Sequence, residues 1–186
     1  MTTKQKECKH CGGCFVPMRP LQSVCSSICA ARSVRAAKRE EREHDKARAD
    51  KLKCIPDLIK EAQHEFNAFI RARDHTKPCI CCGRTEAMGY GLAAHGWDCG
   101  HYRSTGSASH LRFNEDNAHR QLVVCNRHGA GRAVDYRIGL INRLGLARVE
   151  ALESSNATHK WTADELRAIK ATYRAKLKEL EGKNGL

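Results

Sequence analysis

The sequence predicts an α+β protein: small modules of short strands stapled by zinc, with helices between and around them. Three observations carry that prediction. Eleven cysteines fall into two clusters, Cys8, Cys11, Cys14, Cys25 and Cys29, then Cys79, Cys81, Cys82, Cys99 and Cys125, with Cys54 alone between them. Three segments repeat apolar residues at three- and four-residue steps, the period of an amphipathic helix. With 41% hydrophobic and only 5% aromatic residues, the chain is lean for one large core, and lean chains hold themselves together with metals or disulfides. The odd cysteine count and a start, MTTKQKECKHCGG, without an apolar signal region argue against a secreted disulfide framework. Zinc thiolates in a reducing cytosol suit these cysteines better.

Residues 1–30 read as a zinc-finger-like module. The hooks 8-CKHC-11 and 25-CSSIC-29 each present two sulfurs, and Cys8, Cys11, Cys25 and Cys29 would close a structural tetrahedral site with Zn–S distances of about 2.3 Å. The intervening GGCFVPMRPLQSV is expected to form a small hairpin, leaving Cys14 and His10 outside the site. Residues 31–55 read as a basic, polar helical linker. Its AARSVRAAKREEREHDKARADKLK is rich in helix formers, with Arg39/Glu43 and Lys46/Asp50 one turn apart. A helix polar on all sides is no core element, so it is read as a solvated spacer, with a DNA-tracking arm as the sharper alternative.

Residues 56–186 form the third predicted region. After Pro56, Leu58/Ile59, Ala62, Phe66 and Phe69/Ile70 mark an amphipathic helix. Val134, Arg137, Leu140/Ile141 and Leu144 mark a second, with Gly145 as its stop. Thr162 to Glu165 is a capping box opening a third, whose stripe is Leu166, Ile169, Tyr173, Leu177 and Leu180. The net charge of +12 points to a polyanionic partner. No apolar run approaches a membrane span. Sparse aromatics argue against a single-strand stacking platform.

Segment 79–128 carries the chemistry. Cys79 and Cys82 form C-x2-C with Gly83 at the turn, WDCGHYR and LRFNEDNAHRQ follow, and QLVVCN has strand character ending in Cys125 and Asn126. This order resembles the HNH, or ββα-metal, nuclease pattern, and it implies a small zinc-stapled HNH-like core. In that pattern a His is the general base, an acidic residue and a residue just after the last cysteine hold the catalytic metal, and a zinc clip staples the motif. The resemblance makes His101 the base, Asp98 and Asn126 oxygen ligands for Mg²⁺ or Mn²⁺, and Asn117 the residue that holds the loop or orients the imidazole. Arg103, Arg112 and Arg120 become candidate phosphate contacts. The residue types suit the chemistry: imidazole titrates near neutrality, and a hard cation prefers carboxylate and amide oxygens. The pattern normally has a second C-x2-C, but Leu122 stands three before Cys125. The core zinc set is therefore expected to be Cys79, Cys82, Cys125 and His128, with His119 and Cys99 as alternatives for the fourth place and Cys81 a bystander. The glycine-rich stretch ahead of WDCGH makes His95 a loop residue.

A closer resemblance covers Cys8 to about Leu180. NAFIRARD, PCICCG, DCGHYRST, LRFNEDNAHRQ, VVCN and HKWTADELRAIKATYRAKLKEL, behind the N-terminal hooks, resemble the NinG family of lambdoid phages. The resemblance implies a phage protein of the bacterial host cytoplasm, a metal-dependent endonuclease acting on branched double-stranded DNA such as Holliday junctions and D-loops. Paired cuts imply a homodimer, and recombination proteins become expected partners. The competing expectation is a zinc-stabilised DNA-binding adaptor that does not cleave.

Overall fold

The computed structural model describes residues 4–86 and 96–184. The expected loop position His95 lies outside the described residues. The chain divides into two compact units, Met1–Lys53 and Cys54–Leu186.

In the first unit, β1 (Lys6–Glu7) and β2 (Cys14–Phe15) pair antiparallel, Lys6 opposite Phe15 and Glu7 opposite Cys14. The hairpin therefore encloses the first cysteine hook, where the sequence had suggested a hairpin between the two hooks. Main-chain bonds from Cys8 N to Gly13 O and from Gly12 N to Cys8 O, both 2.9 Å, close the turn. Gly12 supplies the positive φ, +72°, that the turn requires. The long polar helix α1 runs from Ser27 to Lys51. Ser26 caps it, its hydroxyl accepting from Cys29 N at 3.2 Å. The second hook thus lies on the helix's first turn, and the predicted boundary at residues 30–31 does not divide the unit: module and helix are continuous. Arg39 pairs with Glu43 at 3.8 Å as the spacing predicts, whereas Asp50 pairs with Lys53.

The second unit is built on α2 (Ile55–Arg73) and α5 (Ala163–Asn184), packed along their apolar stripes. Leu58, Ala62, Phe66, Phe69 and Ile70 meet Leu166 and Tyr173 in one buried cluster. Phe66 stands edge-on to Tyr173 and Phe113 at centroid distances of 4.8 and 5.7 Å. The predicted capping box holds: Glu165 Oε2 accepts from Thr162 N at 2.8 Å, and Thr162 Oγ1 accepts from Glu165 N at 3.3 Å. Between these helices the chain forms one antiparallel pair, β3 (Trp97–His101) and β4 (Ala118–Leu122), with Trp97 opposite Leu122 and His101 opposite Ala118. β4 ends at Leu122, and Cys125 and Asn126 lie on a single π-helical turn, Val124–His128, where the sequence suggested continuing strand. Turning the chain there brings the Cys125 sulfur back toward Cys79.

Helices α3 (Ala133–Leu144) and α4 (Leu146–Ser154) complete the unit. Gly145 stops α3 as expected, but its φ of +85° also starts α4, a helix too short to show a period in the sequence. Tyr136, Leu140, Val149 and Leu152 pack with Ile80 and Leu111 in a second cluster. At Gly139 a Cβ would stand 1.8 Å from the Ile80 carbonyl oxygen, so helix and cysteine turn touch backbone to backbone.

A fully buried carboxylate, Asp74, sits where α2 ends. It accepts from Arg73 Nη2 at 2.8 Å, Lys77 Nζ at 2.9 Å and the Arg120 main-chain N at 3.3 Å, with His119 Nδ1 at 3.2 Å and Arg143 Nη1 at 3.4 Å. Burial pushes its pKa up, but the hydrogen bonds from His119, Arg73 and Lys77 outweigh that and hold it far below the usual range. A depressed carboxylate stabilises the fold fully above its unfolded value near 3.9 and loses that contribution as pH falls through the folded value. Asp74→Asn is expected to cost about 3–5 kcal/mol at pH 7, because it strands buried cations. In paired urea titrations the gap from wild type should shrink only below about pH 4. Gly139→Ala is expected to cost roughly 1–3 kcal/mol by overpacking, read as a lowered urea midpoint with an unchanged slope.

Candidate functional site

Two groups of four sulfurs dominate the chemistry. Cys8, Cys11, Cys25 and Cys29 place their Sγ atoms within 4.8 Å of one another, as the sequence predicts. Cys25 Sγ lies 3.7 Å from Cys11 Sγ and 3.4 Å from Cys29 Sγ. Cys8 Sγ accepts from the Cys25 main-chain N at 3.3 Å. The Cys11 N–H, opposed by burial, lowers the Cys8 thiol to about 6 with help from His10 and Cys25. The strands of the hairpin fix one pair of sulfurs and the first turn of α1 the other.

The second group is Cys79, Cys81, Cys82 and Cys125, again within 4.8 Å. This corrects the expected ligand set: Cys81 takes the fourth place, not His128. His119 belongs to the Asp74 network, and the Cys99 sulfur is buried in the α2–α5 cluster, so neither alternative is at the group. The cause is the tight turn 79–84, in which Cys79 N donates to Arg84 O at 2.8 Å and Gly83 N to Cys79 O at 3.0 Å, with Gly83 at φ +71°. Leu122 contributes its main-chain N–H, 3.3 Å from Cys79 Sγ, and Gln121 Nε2 donates to Cys81 Sγ at 3.4 Å. The dense C-x-C-C run was the available signal for Cys81.

Both groups fit zinc by donor type and number. The Cys81 thiol, hydrogen-bonded to Cys79, lowers Cys79 to about 4, while Cys81 itself is pushed far up by that bond and Cys82 is raised to about 11 by burial. Four sulfurs this close cannot all carry charge on their own. A divalent cation removes the conflict and lets all four bind as thiolates.

His101 ends β3. Its Nε2 lies 3.0 Å from the Arg112 carbonyl oxygen, and its ring faces Phe66 at 6.0 Å. A carbonyl only accepts, so the ring donates to Arg112 O from Nε2. Burial lowers the His101 pKa, against the raising effects of the Arg112 and Cys99 carbonyls. Asn117 is fully buried. Its Oδ1 accepts from Arg103 N at 2.8 Å, and its Nδ2 donates to Arg103 O at 3.0 Å and Leu111 O at 3.2 Å. Asn117 therefore holds the loop between the strands, and no hydrogen bond joins it to the imidazole.

The structure brings Asp98 and Asn126 together, Asn126 Nδ2 donating to Asp98 Oδ2 at 3.0 Å. It also adds a residue the sequence reading missed: Arg127 clamps both oxygens of Asp98 at 2.8 and 2.9 Å. Burial raises the Asp98 carboxyl, but Arg127 and Asn126 bring it below its ordinary value. His101 is apart from this pair. Three residue steps, about 10 Å of strand, separate it from Asp98, and strand alternation turns Asp98 away from the side shared by Cys99 and His101.

The three candidate phosphate-binding arginines are engaged internally. Arg103 caps the end of α4 through Leu152 O at 2.9 Å and Ser155 O, and reaches Asn156 Oδ1 at 3.2 Å. Arg112 donates to Gln63 Oε1 and Thr105 O, both 3.3 Å. Arg120 lies 3.5 Å over the Trp97 ring and donates to Asp74 O at 3.4 Å.

Fold and clusters together define a two-unit α+β protein with two four-cysteine centres suited to structural zinc. The sequence model of the family described as "Bacteriophage Lambda NinG protein" matches residues 1–183. The chain belongs to this NinG family. It is 40% identical over 197 residues to Protein ninG of Salmonella phage P22, covering 95% of this chain and 94% of that protein. Protein ninG of Escherichia phage lambda shows the same 40% identity over 197 residues, covering 95% and 93%. Protein ninG of Escherichia phage 933W is 49% identical over 138 residues, 73% of this chain and 65% of that protein. No solved structure matches the chain. No helix among the described residues is long and apolar enough to cross a membrane.

Elemental analysis is expected to find two zinc ions per chain. Cys81→Ala should lose one of them, and His128→Ala should retain both.

Proposed function

We propose that this chain is an endonuclease that hydrolyses phosphodiesters in branched DNA during phage recombination, with Holliday junctions and D-loops as its substrates. The observation that supports the reading most is the setting of His101: an imidazole at a strand end, held by a main-chain carbonyl and carrying a lowered pKa. Such a ring is unprotonated at neutral pH, the form in which an imidazole can take a proton from water. Attack of that water on phosphorus forms the new P–O bond and expels the sugar oxygen. Asn117 serves this step indirectly, by pinning the loop that supplies the Arg112 carbonyl. Asp98 and Asn126 are the oxygen donors that would hold Mg²⁺ or Mn²⁺ in exchange for the Arg127 guanidinium, and the ion would supply charge stabilisation at the phosphate. Cys125 and the zinc cluster anchor the turn bearing Asn126. Membership of the NinG family and the charge of +12 agree with a DNA substrate.

A second reading, a DNA-binding adaptor without turnover, has one specific observation in its favour. The place of a cation on Asp98 is filled by Arg127, and His101 does not share that pair's position on the strand.

The two readings separate on labelled Holliday-junction, D-loop and linear duplex DNA with Mg²⁺ or Mn²⁺. The nuclease cuts branched DNA, and His101→Ala reduces the rate by about 10²–10⁴-fold while DNA binding and zinc content persist. Activity should fall on the acid side as His101 protonates and, because its pKa is lowered, should hold through neutral pH. Binding without cutting by wild type, in both metals, establishes the adaptor.

A further inference from the structure

The first unit carries an ordered arrangement of charge. On α1, Arg32, Arg35, Arg39, Arg42 and Lys46 follow at alternating steps of three and four residues. At 3.6 residues per turn these five side chains share an arc of about 80° and form a rail about 21 Å long. The acidic residues Glu40, Glu41 and Asp45 fall outside that arc, and Glu43 sits at its edge beside Arg39, with the pair at 3.8 Å largely exposed. Among the described residues Arg32 and Arg35 have no carboxylate partner. The start of the rail is a groove of about 300 Å³ lined by His10, Arg32, Arg35, Ala36 and Arg39. His10 comes from the cysteine knuckle, so the second wall of the groove is set by the metal module. Ala36 leaves its floor without a long side chain.

We propose that this rail, entered through the His10–Arg32–Arg35–Arg39 groove, is a docking surface for the phosphate backbone of duplex DNA. Identifying the polyanion as DNA rests on the function proposed above. The helix lies along the backbone and does not enter the major groove, since there its acidic flanks would meet the phosphates of both strands. Recognition is independent of sequence. Duplex DNA carries one charge per 1.7 Å of axis, so each rail cation finds a phosphate in any register. An acidic protein surface would need matched spacing. Cys29, on the first turn of α1, ties the rail to the zinc centre.

The test uses the full-length protein and binding to labelled duplex arms without divalent metal, so that no catalysis is involved. Arg32→Gln with Arg35→Gln is compared with Arg48→Gln with Lys51→Gln, which removes the same charge from the opposite arc of the same helix. Zinc content and helicity are matched first. The expected result is that the rail variant loses affinity and that its log–log salt slope falls in magnitude by about 2, roughly 0.9 per phosphate contact, while the control keeps the wild-type slope. Equal losses in the two variants would mean that net charge alone acts, and would overturn the rail; so would an unchanged slope in both. These outcomes leave the endonuclease reading standing, because junction cleavage at saturating protein is scored separately. Failure of wild type to bind any duplex would overturn both.

Discussion

The arrangement around β4 depends on one electrostatic constraint: four cysteine sulfurs held within 4.8 Å of each other in a half-buried turn. Alone, such a group tolerates little charge, and the opposed shifts of Cys79 and Cys82 express that conflict. With a divalent cation it becomes a rigid clip. The clip ties the turn at residues 79–84 to the end of β4 through the Leu122 amide, and its neighbour Ile80 meets α3 at Gly139. Asn126 and Arg127 follow Cys125 directly, so their meeting with Asp98 depends on the same clip.

The Asp74 network does comparable work farther along the same edge of β4, where the Arg120 main-chain N donates to Asp74 as the Leu122 N does to Cys79. A carboxylate with no solvent access gathers donors from α2, β4 and α3. Because removing any one group leaves the remaining charges buried and unpaired, such a network fixes a single arrangement of those elements. It also explains why His119 is not a metal ligand here, since Arg73, Arg143 and Asp74 surround its Nδ1.

Both units put clustered cysteines suited to a metal at the root of an element that carries other chemistry. In the first, Cys29 lies within α1, whose polar surface would be hard to anchor by burial, as Cys29 is its one buried residue. In the second, Cys125 lies on the turn that presents Asn126 and Arg127. In a chain with so few aromatic residues, a metal at each group would supply the positional precision that a larger protein takes from packing.

Much was legible in the sequence because it is local. Helix-forming composition located α1, apolar periodicity located α2, α3 and α5, the TADE motif located the start of α5, and hook spacing located the first cysteine centre, since each depends on residues within a few positions of one another. Three of the four members of the second centre, Cys79, Cys82 and Cys125, were legible, but whether Cys81 or His128 completes it depends on how a turn and the end of a strand converge, which spacing does not encode. The roles of Arg103, Arg112 and Arg120 were likewise decided by tertiary structure. A guanidinium has the same sequence signature facing a phosphate as it has capping a helix or stacking on Trp97. The Asp98–Arg127 clamp and the separation of His101 from it arise from strand alternation and from the chain's turn after β4. Those are long-range facts, settled by which buried groups must find partners.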